Sequence, residues 1–277
     1  MYKIILDSCG DLTEDLKQDT HFCNVPLTVT VDTTDIVDDE SFNQLEFLEM
    51  VHKSANEPKS SCPSPQLFLQ EINCDAKNIY IITMSSKISG SYNSAILAKR
   101  LYEDTNDDKN IVVFDSKSAS VSETLLALKI QELEEKHISF EIIVETILQL
   151  IDEIKTFFVL ETLETFRKSG RLNGIKSLAV TVLNIVPIMG AKNGEIIQLG
   201  QQRGYKKAIN DMISRVCSEI QQRKTNIVGI THCNCLELAK SIEQRIIESY
   251  PNIKCFLVNA GGVATMYMNQ GGIVIAV

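Results

Sequence analysis

Three short apolar runs limit what this chain can fold into. They are Ile4-Ile5-Leu6, Asn78-Ile79-Tyr80-Ile81-Ile82-Thr83-Met84 and Asn110-Ile111-Val112-Val113-Phe114, all rich in β-branched residues. Continuous apolarity over so few positions suits strands buried on both faces of a parallel sheet. Each run stops at a polar turn: Asp7-Ser8-Cys9-Gly10, Ser85 to Ser91, and Asp115 to Ser120. A parallel sheet brings the carboxyl ends of its strands to one edge, so the three turns can line a single crevice.

The densest turn is Ser85-Ser86-Lys87-Ile88-Ser89-Gly90-Ser91-Tyr92-Asn93-Ser94-Ala95. Beyond it Tyr92, Ala95, Ile96, Ala98, Leu101 and Tyr102 recur at helical spacing. A strand, a Ser/Gly turn and a helix start gather unpaired backbone N–H groups and hydroxyls, which together hold an anion. Ser also caps helices and Gly eases turns, so the same residues can simply begin a helix. Hydroxyls crowd a second time in Pro58-Lys59-Ser60-Ser61-Cys62-Pro63-Ser64-Pro65, where the prolines stiffen the backbone. That stiffness can hold Ser60 or Ser61 in place, while Ser64-Pro65 starts the next helix.

Charge and cysteine usage narrow the partners. The net charge of -9 argues against nucleic acid, which needs a basic face to displace counterions. No apolar run approaches the roughly twenty residues of a membrane span, and Asp7 interrupts the first one too early for a signal peptide. Eight cysteines are scattered along 277 residues, which fits reduced thiols in a cytoplasmic protein better than disulfides. Cys233 and Cys235 lie beside His232, but no second ligand pair has zinc-site spacing, so no metal or cofactor is expected.

The remaining pattern reads as α/β with two domains, a parallel-sheet domain over 1–155 and a mixed-sheet domain over 156–277. In the first, a strand is expected at Asn24–Val31, an acidic loop at Asp32–Glu40, and a helix from Ser41, as its cap, to His52. Helices follow over Ser122–Glu135 and Ser139–Lys155. In the second, the strand Phe157–Leu160 precedes an apolar helix from Ile175 to Met189, ended by Asn184 and Pro187. Apolar nearly all round, that helix faces core, a partner or a greasy ligand. Ile188–Leu199 reads as a hairpin with Asn193-Gly194 at its turn, for which no ligand chemistry is required. Helices near 205–223 and 236–250 alternate with strands near 226–230 and 254–258, and a Gly-punctuated tail leads into a last strand. Basic residues cluster at Arg167, Lys168, Arg171 and Lys176, and at Arg203, Lys206 and Lys207, in patterns suited to solvent or to a phosphate.

These motifs fall in an order that resembles the DegV family of bacterial fatty-acid-binding proteins. The matching pieces are Asp7-Ser8 with Asp11-Leu12, Val25-Pro26-Leu27, Ser60-Ser61 with Pro63-Ser64-Pro65, Ser85-Ser86 with Ile88 to Ala95, and Asp115 to Ser120. Leu163-Glu164 with Gly170-Arg171-Leu172, Leu183-Asn184-Ile185 with Pro187-Ile188, Arg203-Gly204 with Lys206-Lys207-Ala208, and His232 extend the match across the chain.

The resemblance implies a protein, not itself an enzyme, that binds one long-chain fatty acid and presents it to a separate fatty-acid kinase. On this sequence the carboxylate falls to Ser60 or Ser61, Ser89, Gly90 and Ser91, and the acyl chain to Leu178, Val182, Leu183 and Ile185. Arg171 and Arg203 match positions suited to the phosphoryl group or the kinase. No membrane span is implied, and a transient contact with a membrane surface is compatible with lipid delivery. Three departures stand out: Tyr267 where the family's closing segment carries a His, Ser60 for the usual Thr, and Ser122 for Gly. Tyr267 can still donate a hydrogen bond to the carboxylate, but near neutral pH it offers no cation. Two alternatives remain open: a serine hydrolase built from Ser89 or Ser91, His232 and Asp115, and a lipid sensor that transfers no phosphate.

Overall fold

The computed structural model describes residues 1–172 and 184–277. The chain opens with β1 (Tyr2–Asp7), α1 (Glu14–Gln18), β2 (Phe22–Val25), β3 (Thr28–Val31) and β4 (Thr34–Val37). Next come α2 (Gln44–Lys53), β5 (Lys59–Ser61), α3 (Pro65–Ile72), β6 (Asn78–Thr83) and α4 (Ser91–Glu103). Then follow β7 (Asn110–Asp115), α5 (Val121–Glu135), α6 (Phe140–Glu153), β8 (Thr156–Val159) and α7 (Glu164–Lys168). The remainder carries β9 (Ile185–Lys192), β10 (Glu195–Arg203), α8 (Tyr205–Arg223), β11 (Ile227–His232), α9 (Leu236–Ser249), β12 (Lys254–Asn259), α10 (Gly262–Met268) and β13 (Ile273–Ala276).

The fold is two-domain α/β. Strands β2-β1-β6-β7 form an all-parallel sheet, and the continuous apolarity of β1, β6 and β7 has a direct cause. Ile4, Leu6, Tyr80 and Ile82 pack with residues of α5 and α6, while Ile5, Ile79 and Ile81 pack with residues of α3 and α4 on the opposite face.

The second sheet runs β10-β9-β8-β13-β11-β12 and is mixed, with β11–β12 its parallel pair. Alternation divides its side chains. Phe157, Val159, Ile273 and Ile275 join the core with α8 and α9, whereas Phe158 and Val274 cluster with Val121 and Leu125 of α5. Helix α5 therefore lies between the two sheets. A small antiparallel sheet, β4-β3-β5, packs Val29 and Val31 with Phe47 of α2 and Val263 of α10.

Four local expectations are corrected. The strand expected over Asn24–Val31 is two strands in different sheets, divided at Pro26, which has no N–H for a ladder. The acidic segment contains β4, paired with β3 across a turn at Asp32, whose φ is 54°. Helix α2 is capped by Asn43, whose side chain accepts from the N–H groups of Leu45 and Glu46 at 3.2 and 3.3 Å, while the Ser41 hydroxyl donates to Asp39 at 2.6 Å. Residues 185–189, expected to be the end of a helix, belong to β9; there Pro187 pairs with β10 alone, so its missing donor breaks no ladder to β8. No described helix is long and apolar enough to cross a membrane.

Candidate functional site

Parallel pairing places the ends of β1, β6 and β7 side by side, and a cavity of about 340 Å³ opens at that edge. Cys9 from the first turn, Ser85, Ile88, Ser89 and Gly90 from the second, and Lys117 to Ser120 from the third all line it. The facing wall comes from the second sheet: Thr156 and Phe158 of β8, Ala191 of β9, Ile196 of β10 and Val274 of β13. Val274 is the register partner of Phe158, so the two present one apolar face. Leu27, Leu160, Phe166, Val263 and Met268 extend the apolar lining. Its volume lies in the usual ligand-site range of about 300–1,000 Å³.

The polar end has two jaws. In one, the Ser91 N–H donates to the Ser89 Oγ at 3.2 Å, and the two hydroxyls stand 3.1 Å apart. Helix α4 begins here with Gly90 as N-cap, leaving first-turn N–H groups without intrahelical acceptors. In the other jaw, β5 pairs with β3 so that Ser60 opposes Val29 and Ser61 opposes Thr28. Both serines line the cavity. Gly90 lets the jaws meet, because a Cβ there would stand 2.9 Å from Cys62 Sγ.

The jaws are held from outside. Ser85 Oγ donates to the carbonyl of Gly194 at 2.7 Å, seating the β9–β10 turn against the serine loop. Asn193 and Gly194 take φ values of 53° and 84°, as the tight-turn reading predicts, and Gly194 also lines the cavity. Arg171 lines the cavity, with Nε on the Ile88 carbonyl at 3.3 Å and its guanidinium 5.9 Å from the centre of the Tyr267 ring. That ring packs against Phe166, with centroids 4.5 Å apart and planes tilted by 31°. Ser122 hydrogen-bonds with Ser118 at 3.0 Å and Thr156 at 2.7 Å, so its hydroxyl knits the wall between the sheets.

Of the residues singled out from the sequence, Ser60, Ser61, Ser89, Gly90, Arg171 and Tyr267 converge on this cavity. Ser91 is fully buried behind Ser89. Ile185 pairs with Arg203 at the far end of the hairpin; from Ile196 to Arg203 the strand runs roughly 23 Å, so neither reaches the described cavity. Leu178, Val182 and Leu183 lie outside the described residues. The apolar wall of Phe158, Leu160 and Val274 escaped the sequence reading because β8 and β13 are apolar on both faces.

The hydrolase geometry does not assemble. Asp115 is engaged by Ser86 and by the Lys117 N–H, and the Nδ1 of His232 has no partner among the described residues. Burial pushes the His232 pKa down. Cys233 is buried and the Cys235 thiol donates to the Gly272 carbonyl at 3.6 Å.

Beneath the cavity lies a group of buried acids. Asp7 accepts from the N–H groups of Cys9 and Met84 at 3.1 and 3.0 Å, and desolvation pushes its pKa up to about 6 against those hydrogen bonds. Asp11 is pushed up to about 7 by burial, and burial also raises Asp38. Glu123 is raised further, by desolvation first and then by the charges of Asp7 and Asp11. Asp38 binds the Gly262 and Val263 N–H groups that begin α10, which carries Tyr267.

The profile of the DegV family, described as uncharacterised, matches residues 1–277. The chain belongs to the DegV family. A DegV domain-containing protein of Streptococcus gordonii is 32% identical over 98% of this chain and 97% of its own length. Among solved DegV structures, the protein of Ruminococcus gnavus, refined with vaccenic acid, shares 44% identity with a TM-score of 0.93, covering 100% of this chain and 99% of that one. The Streptococcus pneumoniae Fatty Acid Kinase (Fak) B3 protein, loaded with linoleic acid, shares 30% identity with a TM-score of 0.88, covering 100% and 98%.

Proposed function

We propose that this DegV protein binds one long-chain fatty acid, with its carboxylate between the two serine jaws and its acyl chain between the sheets, and presents it to a separate fatty-acid kinase. The observation that carries the reading is the polarity of one cavity: hydroxyls and helix-start N–H groups at one end, Phe158, Leu160 and Val274 along the wall. Hydroxyls and amides stabilise a carboxylate without acting as nucleophiles. Each buried methylene contributes about 0.8 kcal/mol, so a long chain offsets its ordering cost several times over. Lipid in the related R. gnavus and S. pneumoniae proteins supports the same reading, and the kinase named with the latter supports the partner.

In this reading no cofactor other than the lipid is required. The division between domains falls near residue 155, where β8 begins the second sheet. Arg171, already at the polar end, serves the phosphoryl group, and exposed Arg203 serves the partner. Eight free cysteines suit a cytoplasmic location. Tyr267 favours one second reading, a lipid sensor without phosphoryl transfer, because a neutral phenol replaces a group that can carry charge.

Native mass spectrometry of the protein purified from cells, followed by lipid extraction, tests the proposal. A one-to-one fatty-acid complex is expected, and protein that stays empty even after incubation with fatty acid overturns it. Phosphate transfer to the bound lipid by a fatty-acid kinase separates carrier from sensor.

A further inference from the structure

Glu123 is fully buried in the first turn of α5, where its carboxylate meets the Asp7 carboxylate and the Cys9 thiol. Its carboxylate, that of Asp7 and the Cys9 thiol lie within 4.8 Å of one another. The charged groups that act on this pair are themselves acidic, Asp11 and Asp38, and no described ion pair includes any of the four. His232, at the end of β11, leaves Nδ1 unpartnered and compensates none of them through that atom. Of two carboxylates this close, both fully buried and in no described ion pair, one holds a proton.

From that pair a line of polar groups leads to the cavity. Ser91 is fully buried and its hydroxyl acts on Asp7 to lower its pKa, the Ser91 and Ser89 hydroxyls stand 3.1 Å apart, and Ser89 lines the cavity. Each hydroxyl has one proton to give. With Asp7 ionised, Ser91 donates to Asp7, and Ser89 is drawn to donate to Ser91 rather than outward. With Asp7 protonated, Asp7 donates to Ser91 and Ser91 to Ser89, so the Ser89 O–H is free to point at an anion.

We propose that Asp7 and Glu123 are positioning residues that orient the Ser91–Ser89 hydroxyl chain, so that an anionic headgroup binds with uptake of one proton from solvent by the pair. The inference rests on the fatty-acid reading. The balance is one proton: the buffer loses it, an O–H bond forms on the pair, and the headgroup's own charge stays unchanged. Affinity then rises as pH falls, by up to about tenfold per pH unit, the limit for one coupled proton.

The experiment is calorimetry with laurate between about pH 6 and pH 8, in buffers of different ionisation enthalpy, with the methyl ester as an uncharged control. Proton uptake is expected with laurate and not with the ester. Glu123→Gln keeps the shape, donates to Asp7 and holds it ionised, so the uptake and the pH dependence of affinity should vanish while laurate still binds. Ser91→Ala, which leaves both acids in place, should lose the uptake as well and covers the case in which Glu123→Gln fails to fold. Laurate binding without proton uptake, undiminished uptake in Ser91→Ala, or a stoichiometric metal ion held by Asp7, Cys9 and Glu123 in elemental analysis overturns the proposal. Absence of any laurate binding would instead count against the fatty-acid reading.

Discussion

Asp11 and Gly261 are 250 positions apart, yet the Asp11 carboxylate accepts the Gly261 N–H at 2.8 Å. The same carboxylate accepts the Ser120 hydroxyl at 2.6 Å and the Thr231 hydroxyl at 3.2 Å. One buried acid therefore ties the turns after β1 and β7 to the end of β11 and the segment after β12. It also holds Ser120 at a φ of 61°, a conformation that costs a non-glycine residue on the order of 1–2 kcal/mol.

This clasp makes stability fall as pH rises. Asp7 and Asp11 are raised to about 6 and about 7 from an ordinary 3.8, chiefly by desolvation, so the folded state binds more protons than the unfolded state between those limits. The stabilisation is complete below the unfolded value and is lost as pH rises through the folded ones. Urea unfolding should show stability increasing from about pH 8 to about pH 5, on the order of 2–4 kcal/mol, before other carboxylates reverse the trend. Asp11→Asn, which can still accept from Gly261, should remove the larger part of this slope; an unchanged slope would contradict the assignment.

Ser60 should matter more than Ser61. Opposed residues in an antiparallel pair share a face, and Ser60 opposes fully buried Val29 whereas Ser61 opposes half-buried Thr28. Leu27, two positions from Val29, lines the cavity, which places Ser60 on the ligand side. Ser60→Ala should weaken fatty-acid binding about 10- to 100-fold, the loss of one hydrogen bond to a charged acceptor. Ser61→Ala should cost less than about threefold, and equal losses in a lipid titration would refute the facing.

The parallel sheet was legible because burial on both faces leaves a plain mark, continuous apolar runs ending in polar turns. That mark located Ser89 and Gly90, the proline-stiffened segment singled out Ser60 and Ser61, the basic cluster held Arg171, and the resemblance added Tyr267. What escaped depended on pairing between distant segments. Nothing in Thr156-Phe157-Phe158-Val159 says which alternate side chains face the cavity, since α8 and α9 bury the other set. Glu123 resembles any acid in a first helical turn until the fold sets it beside Asp7. Arg203 is separated from Arg171 by the length of β10, which sequence order does not reveal.

Gly194 should control exchange of the ligand. Its carbonyl receives Ser85 Oγ, its φ is 84°, and a Cβ would lie 2.7 Å from that Oγ. Gly194→Ala thus strains the turn and displaces the latch, at a cost of about 1–2 kcal/mol. Thermal unfolding should shift downward, and release of a fluorescent fatty acid should accelerate at least about fivefold. Ser85→Ala, which removes the latch without straining the turn, should accelerate release with a smaller loss of stability. Unaltered release in both variants would show that the hairpin does not gate the cavity.

Tyr267 offers the last separation, between packing and binding. Its ring lies between Phe166, at 4.5 Å, and the Arg171 guanidinium, at 5.9 Å, so it orients the arginine whatever its hydroxyl does. Such a tilted aromatic pair contributes about 0.5–1.5 kcal/mol and the cation over the ring a similar amount. Tyr267→Phe keeps both and deletes only the hydroxyl, so unfolding should stay within about 0.5 kcal/mol of wild type while fatty-acid affinity falls about three- to tenfold. Tyr267→Ala deletes the platform as well, and both stability and affinity should fall. Tyr267→His restores a titratable group beside Arg171 and should make phosphate transfer by a fatty-acid kinase more efficient than in wild type. If Tyr267→Phe binds lipid as tightly as wild type, the hydroxyl does not touch the carboxylate, and the role of Tyr267 is to hold Arg171.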